Sequence, residues 1–337
     1  MKPIADRLFG DIPPLRYVEQ RAAGKLPDNI KVHEFYYPPG SLLGSSTAQR
    51  HHKSVNFTDA FRLMKEAGFD LIGQLVSPSP DGRDLSCNTD LSLDLVPRLR
   101  ELSTDDRPIL VAQVNRRLPP MGGSAVVNEH IFDAVVDDEA LDYDLFGLPN
   151  LPVSDAEYAI GLRVASLLRD GDTIQIVIGG LGNSVAWSSI LRHEDPHRFA
   201  ELLDALGIPP EVDELLEHWE GRAPFEEGLY ASTEMFVEGL LHMAKRGVLS
   251  RRMDDGLEDE RVVSGVGGQY EFVTMAHALP DGRSVIMVLA TRTSGGEVYS
   301  NIVWSYGHCT IPRHLRDIVV TEYGIADLRG KSDEEIV

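Results

Sequence analysis

Glu234 is the side chain in this sequence best placed to act as a nucleophile. It lies in Gly228-Leu229-Tyr230-Ala231-Ser232-Thr233-Glu234-Met235-Phe236, where an apolar run passes into a helical pattern. Downstream lies Ser264-Gly265-Val266-Gly267-Gly268-Gln269. A carboxylate attacks a thioester carbonyl only where donors stabilise the oxyanion that forms. Glycines let backbone N–H groups approach a ligand closely and allow positive φ. The two stretches together describe a nucleophile and a loop able to supply those donors. Each also has a structural reading. A Glu after Ser-Thr complements the positive end of a helix, and Gly-x-Gly-Gly makes a turn.

A second glycine cluster follows an apolar strand pattern. Thr173 to Ile178 runs into Gly179-Gly180-Leu181-Gly182-Asn183 and then a helical pattern from Ser184 to Leu191. Strand, glycine loop and helix N-terminus make an anion-binding geometry. The glycine spacing is not that of a dinucleotide fingerprint. Thiol chemistry at His308-Cys309 is a competing reading. Adjacent residues of an extended segment point to opposite faces, so a buried structural cysteine suits Cys309 better.

The chain has 337 residues, 42% of them hydrophobic, enough for two domains. Its net charge of −21 argues against general binding to nucleic acid or an anionic membrane. Arg50-His51-His52-Lys53, Arg116-Arg117, Arg251-Arg252 and Arg313-His314 are local basic clusters that read as solvated surface or anion patches. Cys87 and Cys309, far apart, make no disulfide framework, and no metal-ligand spacing occurs. Neither an apolar leader nor a run of membrane-spanning length is visible, so the expectation is a cytoplasmic protein with no metal.

The elements that must position these residues follow a strand–helix–strand pattern. Helices are expected at Leu15–Ala23, Phe57–Ala67 and Leu91–Glu101, with strands at Ile30–Tyr37, Phe69–Val76 and Pro108–Asn115. Apolar strand runs alternating with helices predict a mostly parallel α/β sheet. The acidic, turn-rich stretch 137–152 marks a domain boundary. Ser154 with Glu157 reads as a capping box for a helix to Leu168. Residues 196–224 read as a helical insertion, and a helix is expected from Met235 to Arg246. Strands follow at Ser284–Ala290 and Arg316–Thr321. The strand pair Leu71–Val76 and Ile109–Val114 is echoed by Val285–Leu289 and Ile318–Thr321, which suggests two similar α/β halves with a cleft between them.

Several of these motifs resemble the acetyl-CoA hydrolase/transferase family, which includes 4-hydroxybutyrate and butyryl-CoA:acetate CoA-transferases. The matching segments are Gln175 to Gly180, Thr233-Glu234-Met235-Phe236, Gly265 to Gln269, and Val319-Val320-Thr321-Glu322-Tyr323-Gly324-Ile325-Ala326-Asp327-Leu328-Arg329-Gly330-Lys331-Ser332. Weaker similarity reaches back to Gln74-Leu75-Val76-Ser77-Pro78 and Val114-Asn115-Arg116.

The resemblance implies an α/β fold of two tandem CoA-transferase-type (NagB/RpiA-like) domains with mostly parallel sheets. The N-terminal domain is placed at 1–152 and the catalytic domain at 153–337, with the insertion at about 196–224. It implies that Glu234 attacks an acyl-CoA to give an acyl-glutamyl anhydride and then a glutamyl-CoA thioester. Gly267 and Gly268 would hold the oxyanion, with Gln175 assisting. Gly179, Gly180, Gly265, Gln269, Gly295, Gly296, Tyr323 and Gly324 would contact coenzyme A or substrate. The partners are acyl-CoA and a small carboxylate, with coenzyme A as substrate, no permanently bound cofactor, and a homodimer or higher homo-oligomer as the assembly.

Five departures qualify that pattern. The 196–224 insertion precedes the nucleophile and would reshape the acceptor pocket, and the family's opening helix and Asp-Gly strand are not recognisable before residue 30. Thr293-Ser294-Gly295-Gly296 stands where members carry Lys-Gly-Gly, with Arg292 the nearby cation. Ala231-Ser232 replaces the usual His/Asn position. The closing helices of the family are not reached by Val337, which reads as a fragment or one part of a longer enzyme. A catalytically silent CoA- or phosphate-binding module, or a partner subunit, is the alternative.

Overall fold

The computed structural model describes residues 15–34, 42–53, 55, 60–87, 107–145, 150, 152–176, 178–233, 236–252, 262–264 and 268–336. The chain divides into two compact units, Met1–Gly147 and Leu148–Val337.

The first unit holds helices α1 (Arg16–Ala22), α2 (Ser46–His51) and α3 (Ala60–Ala67). Its strands are β1 (Leu71–Pro78), β2 (Leu85–Cys87), β3 (Ile109–Val114), β4 (Val126–Val127) and β5 (Ala134–Val136), in sheet order β4-β2-β1-β3-β5. β1 and β3 pair in parallel from Leu71↔Ile109 to Val76↔Val114, and β3 pairs in parallel with β5. β2 folds back antiparallel on β1 across a turn in which the Ser79 hydroxyl donates to Asp81 and accepts the Asp84 N–H. The apolar runs form the interior, with Val76, Leu110, Ala112 and Val114 buried beside Ile131 and Phe132. The expected strand at Ile30–Tyr37 does not form over residues 30–33. Glu34 makes one isolated bridge to His52, and residues 35–37 lie outside the described residues. Ile30 and Val32 alternate with Lys31 and His33, but no ladder is present for an apolar face to pack against. The expected helix at Leu91–Glu101 also lies outside the described residues.

The second unit opens with α4 (Asp155–Ser166), capped as its sequence predicts: the Ser154 hydroxyl accepts the Glu157 N–H, and the Glu157 carboxylate accepts the Ser154 N–H. Residues Ala159 to Ser166 of α4 are all buried, which makes it the central helix. β6 (Thr173–Gln175) leads into α5 (Gly180–Glu194). The α4–α5 contact is close because both sides are small. A Cβ on Gly161 would fall 2.8 Å from the Ser184 Cβ. The insertion region carries α6 (Pro196–Ala205) and α7 (Pro210–His218). β7 (Tyr230–Thr233) precedes α8 (Glu238–Lys245), which packs on α5 where Gly239 meets Ala186.

The remainder comprises β8 (Val262–Ser264), α9 (Gln269–Ala278), β9 (Val285–Met287), β10 (Thr291–Ser294), β11 (Glu297–Ser300), β12 (Ile318–Val320), β13 (Ile325–Asp327) and α10 (Asp333–Ile336). β6, β7 and β8 form a parallel sheet with β7 in the middle. In the second sheet β9 and β12 are parallel neighbours and β13 runs antiparallel to β12. Each strand pair picked out by the sequence echo is therefore a parallel, adjacent pair. β10 and β11 form a hairpin whose two-residue loop, Gly295-Gly296, has φ of 61° and 87°, as that tight turn requires.

Arg192 ties the insertion region to the core. Arg192 is 1% exposed and donates to the carbonyls of Ala165, Leu168, Glu220 and Ala223. Its guanidinium also stacks over the Phe225 ring at 4.3 Å. Burial pushes its pKa down to about 10. The charge thus caps the carbonyl end of α4 and the turn after α7 at once.

Candidate active site

In an open parallel sheet, ligands bind outside the carboxyl ends of the strands. The register of the β6–β7–β8 sheet fixes what lies along that edge. Gln175 pairs with Ser232, and Thr233 pairs with Ser264. Glu234 follows Thr233 in the chain and Gly265 follows Ser264. Glu234, Gly265 and Gly267 themselves lie outside the described residues. The residue before Glu234 is fixed: Thr233 is buried and its hydroxyl donates to the Ile176 carbonyl at 3.1 Å. The Gln175 amide nitrogen is buried with no hydrogen-bond partner among the described residues. A buried donor of this kind is costly unless something accepts from it.

Gly268 and Gln269 open α9, and the Gly268 N–H donates to the Glu271 carboxylate at 2.5 Å. That amide is engaged by a helix cap here, a partner the sequence reading did not assign. Gly179 has φ of 123°, a conformation open to glycine and strained for other residues, and caps α5. Gly180 is a glycine for a different reason: a Cβ there would collide with the Glu157 carboxylate. The N-terminus of α5, expected to be an anion site, thus already faces a carboxylate of its own chain.

The remaining expected residues lie in the segments that follow β9 and β12 in the chain. Gly295 and Gly296 are the exposed hairpin tip, and Tyr323 and Gly324 form the turn from β12 to β13, closed by Thr321 N–H to Gly324 O at 2.9 Å. Glu322 ties the hairpin to that turn. Its carboxylate accepts the Ala290 N–H at 2.8 Å, and its carbonyl accepts from Arg163 at 2.8 Å. The hairpin end is held again by Asn301, whose N–H donates to Ala290 O and whose amide donates to Leu289 O. Arg292, the expected stand-in for the family's lysine, donates to Asn301 Oδ1 at 2.9 Å.

α4 reaches both clusters, with Glu157 against Gly180 and Arg163 on Glu322. The two positions are about 9 Å apart along the helix axis. Burial lowers the Arg163 pKa, partly opposed by Glu322. Glu157, Arg163, Asn301 and Glu322 were not among the expected site residues. Glu322 had a signal, since it lies inside the motif that supplied Tyr323 and Gly324. Among the described residues, no group of three His, Cys, Asp or Glu side chains is arranged to hold a metal, and no helix is long and apolar enough to cross a membrane.

Comparison with known proteins agrees with this architecture. Residues 248–337 match the acetyl-CoA hydrolase/transferase C-terminal domain. A curated relative, the 4-hydroxybutyrate coenzyme A transferase of Clostridium kluyveri, is 24% identical over 262 residues. The match covers 68% of this chain, and the chain spans 60% of that relative's length. Among solved structures, RipA of Yersinia pestis is similar with a TM-score of 0.60 at 21% identity, over 84% of this chain and 68% of the other. The 4-hydroxybutyrate CoA-transferase of Porphyromonas gingivalis has a TM-score of 0.54 at 22% identity, over 89% and 78%. At these identities the structural likeness establishes the fold, an α/β fold with mostly parallel sheets of the CoA-transferase type. The family resemblance carried by the motifs holds as well.

Proposed function

We propose that this protein moves coenzyme A from an acyl-CoA to a carboxylate acceptor, or to water, through Glu234. The observation that carries this reading is the register of β6, β7 and β8. It sets the chain end that leads to Glu234 beside Gln175 and its spare amide donor, with the chain end that leads to Gly265 on the other side of β7.

In the first step a Glu234 oxygen attacks the thioester carbonyl. The C–S bond breaks, coenzyme A leaves as its thiolate, and an acyl-glutamyl anhydride forms. The thiolate then attacks the glutamyl carbonyl, expelling the donor's carboxylate and leaving a glutamyl-CoA thioester. An acceptor carboxylate attacks that thioester to give a new anhydride, and returning thiolate releases the new acyl-CoA with Glu234 restored. Water in place of the acceptor makes the enzyme a hydrolase. Gln175, Gly267 and Gly268 are the donors assigned to the oxyanions. Coenzyme A and acyl groups are assigned to Gly179, Gly180, Gly265, Gln269, Gly295, Gly296, Tyr323 and Gly324. The catalytic domain in this reading is 153–337.

Borohydride trapping tests it, since a glutamyl thioester is reduced to the alcohol and a free carboxylate is not. Acyl-CoA without acceptor, followed by borohydride, is expected to inactivate the protein. The mass change should be confined to the peptide with Thr233-Glu234-Met235. Consumption of acyl-CoA with Glu234 unmodified under quenching within one turnover would overturn the covalent route. Absence of both turnover and trapping is the outcome that a silent binding module gives.

A further inference from the structure

In a chain of net charge −21, one face of the first unit carries a concentration of positive groups. Lys31 and His33 come from one segment; Arg50, His51, His52 and Lys53 come from the end of α2 and the residues after it. The two segments are joined at Glu34, whose carbonyl accepts the Lys53 N–H at 3.0 Å and lies 3.1 Å from His52 Nδ1. This pairing brings the His33 and His51 rings to a centroid distance of 4.8 Å. The carboxylate carried by the same segments, Glu34, accepts from Arg21 at 2.8 Å and from the Tyr17 hydroxyl at 3.0 Å. Its charge is thus already matched by a further cation. Lys31, His33, Arg50, His52 and Lys53 are exposed. His51 is held below its usual pKa first by burial and then by the positive charges of His33, Lys31, Arg50 and Lys53, which places those groups around its ring.

A helix C-terminus attracts a cation, which accounts for Arg50 or His51 but not for the whole group. Like charges gathered this closely repel unless an anion sits among them. Two adjacent imidazoles flanked by an arginine and lysines offer several N–H donors on one face, the donor set that phosphate oxygens accept from.

We propose that Lys31, His33, Arg50, His51, His52 and Lys53 form a binding site for a small anion bearing two or more phosphate groups. The site is independent of the acyl-transfer reading. Its ligand is either a free polyphosphate or the phosphate arm of a nucleotide-like molecule.

Calorimetric titration of the full chain with inorganic pyrophosphate tests it, with ADP and adenosine as parallel arms. Saturable, one-to-one binding of pyrophosphate is expected. The His33 and His51 ring resonances should shift as it fills. Lys31→Glu with Lys53→Glu should weaken binding by about tenfold or more, while the milder pair Lys31→Gln and Lys53→Gln, which adds no new charge, should weaken it less. Arg62→Glu on α3, whose partner is Glu66, should leave it unchanged. ADP tighter than pyrophosphate identifies a nucleotide-like ligand; equal affinity identifies the phosphates alone. Binding of adenosine as tight as ADP would remove the phosphate from the argument. The proposal is overturned if wild type shows no saturable pyrophosphate binding, or if Arg62→Glu weakens it as much as the lysine pair does. Unchanged melting temperatures of the variants separate lost binding from lost folding.

Discussion

The Glu157 carboxylate lies against the Cα of Gly180, so that the first turn of α5 is faced by an acid belonging to the capping box of α4. The same carboxylate accepts the Ser154 N–H at 2.8 Å, closing α4 while it complements the dipole of α5. A methyl group at position 180 displaces it. The Glu157 side chain can swing aside only by giving up its capping-box bond, so Gly180→Ala should cost about 1 kcal/mol. In a Glu157→Ala background the same change should cost markedly less, because the colliding group is gone. Denaturant unfolding of the four proteins of this cycle measures the coupling, and a cycle with no coupling would show that the contact is not the reason for glycine.

Glu322 is a positioning residue for the β10–β11 hairpin, through the Ala290 N–H at 2.8 Å. Glu322→Gln keeps an acceptor oxygen and should hold the hairpin. Glu322→Ala should speed hydrogen exchange at the Ala290 amide and raise KM more than it lowers kcat, as expected when binding rather than chemistry is disturbed. Exchange at Ala290 that is identical in all three proteins would remove Glu322 from this role.

Arg192 donates to four carbonyls from two stretches of chain, the end of α4 and the turn after α7. Arg192→Met leaves those acceptors without a donor in a buried place and should cost about 3 kcal/mol or more. Arg192→Lys should recover little, since an ammonium cannot reproduce the planar fork. Recovery by lysine to near wild-type stability would mean that charge, not geometry, is what the site uses.

The parallel pairs β1/β3 and β9/β12 were legible because their apolar runs stand out and repeat in order. The capping box of α4 was legible because its partners are three residues apart. Arg163 and Arg192 were not, because their acceptors are backbone carbonyls, and a carbonyl has no signature in sequence. Arg163 sits in Gly161-Leu162-Arg163-Val164-Ala165, where the pattern alone gives no sign that the guanidinium is buried. The Gly268 cap was missed for a different reason: the same glycine run was read for its ability to approach a ligand, and Glu271 is an equally available partner three residues on. Gly180 is expected to contact coenzyme A or substrate, and the Glu157 carboxylate that also lies against it has no signal in the glycine run.

Asp170 makes the entry to β7 sensitive to acid. Burial opposes its charge, but the N–H groups of Glu227, Gly228 and Glu226 donate to the carboxylate and hold its pKa below the ordinary aspartate value. A depressed folded-state pKa contributes stability that is fully present above the unfolded value and is lost as pH falls through the folded one. The contribution should therefore be constant at neutral pH and disappear below about pH 4. Asp170→Asn should lower stability at neutral pH and flatten its acid dependence in unfolding experiments run from neutral pH downward. An unchanged acid limb would assign the sensitivity elsewhere.

Gly268 offers a separation of folding from catalysis. Its φ of −86° is open to any residue, and the nearest atom to a Cβ there is Glu271 Oε2 at 3.9 Å. Gly268→Val keeps the N–H that Glu271 accepts, so stability should fall by less than about 1 kcal/mol, close to the change from glycine to another residue at a cap. If that amide also serves the oxyanion in the proposed reaction, the branched side chain blocks the approach of the thioester. The drop in kcat should then be on the order of a hundredfold, the cost of losing one oxyanion donor. Glu271→Ala supplies the complement. It frees the Gly268 amide, costs α9 its cap by about 1 kcal/mol, and should leave kcat nearly intact. Paired unfolding and turnover measurements decide the matter. A valine variant that stays folded and fully active would assign Gly268 to the helix cap alone.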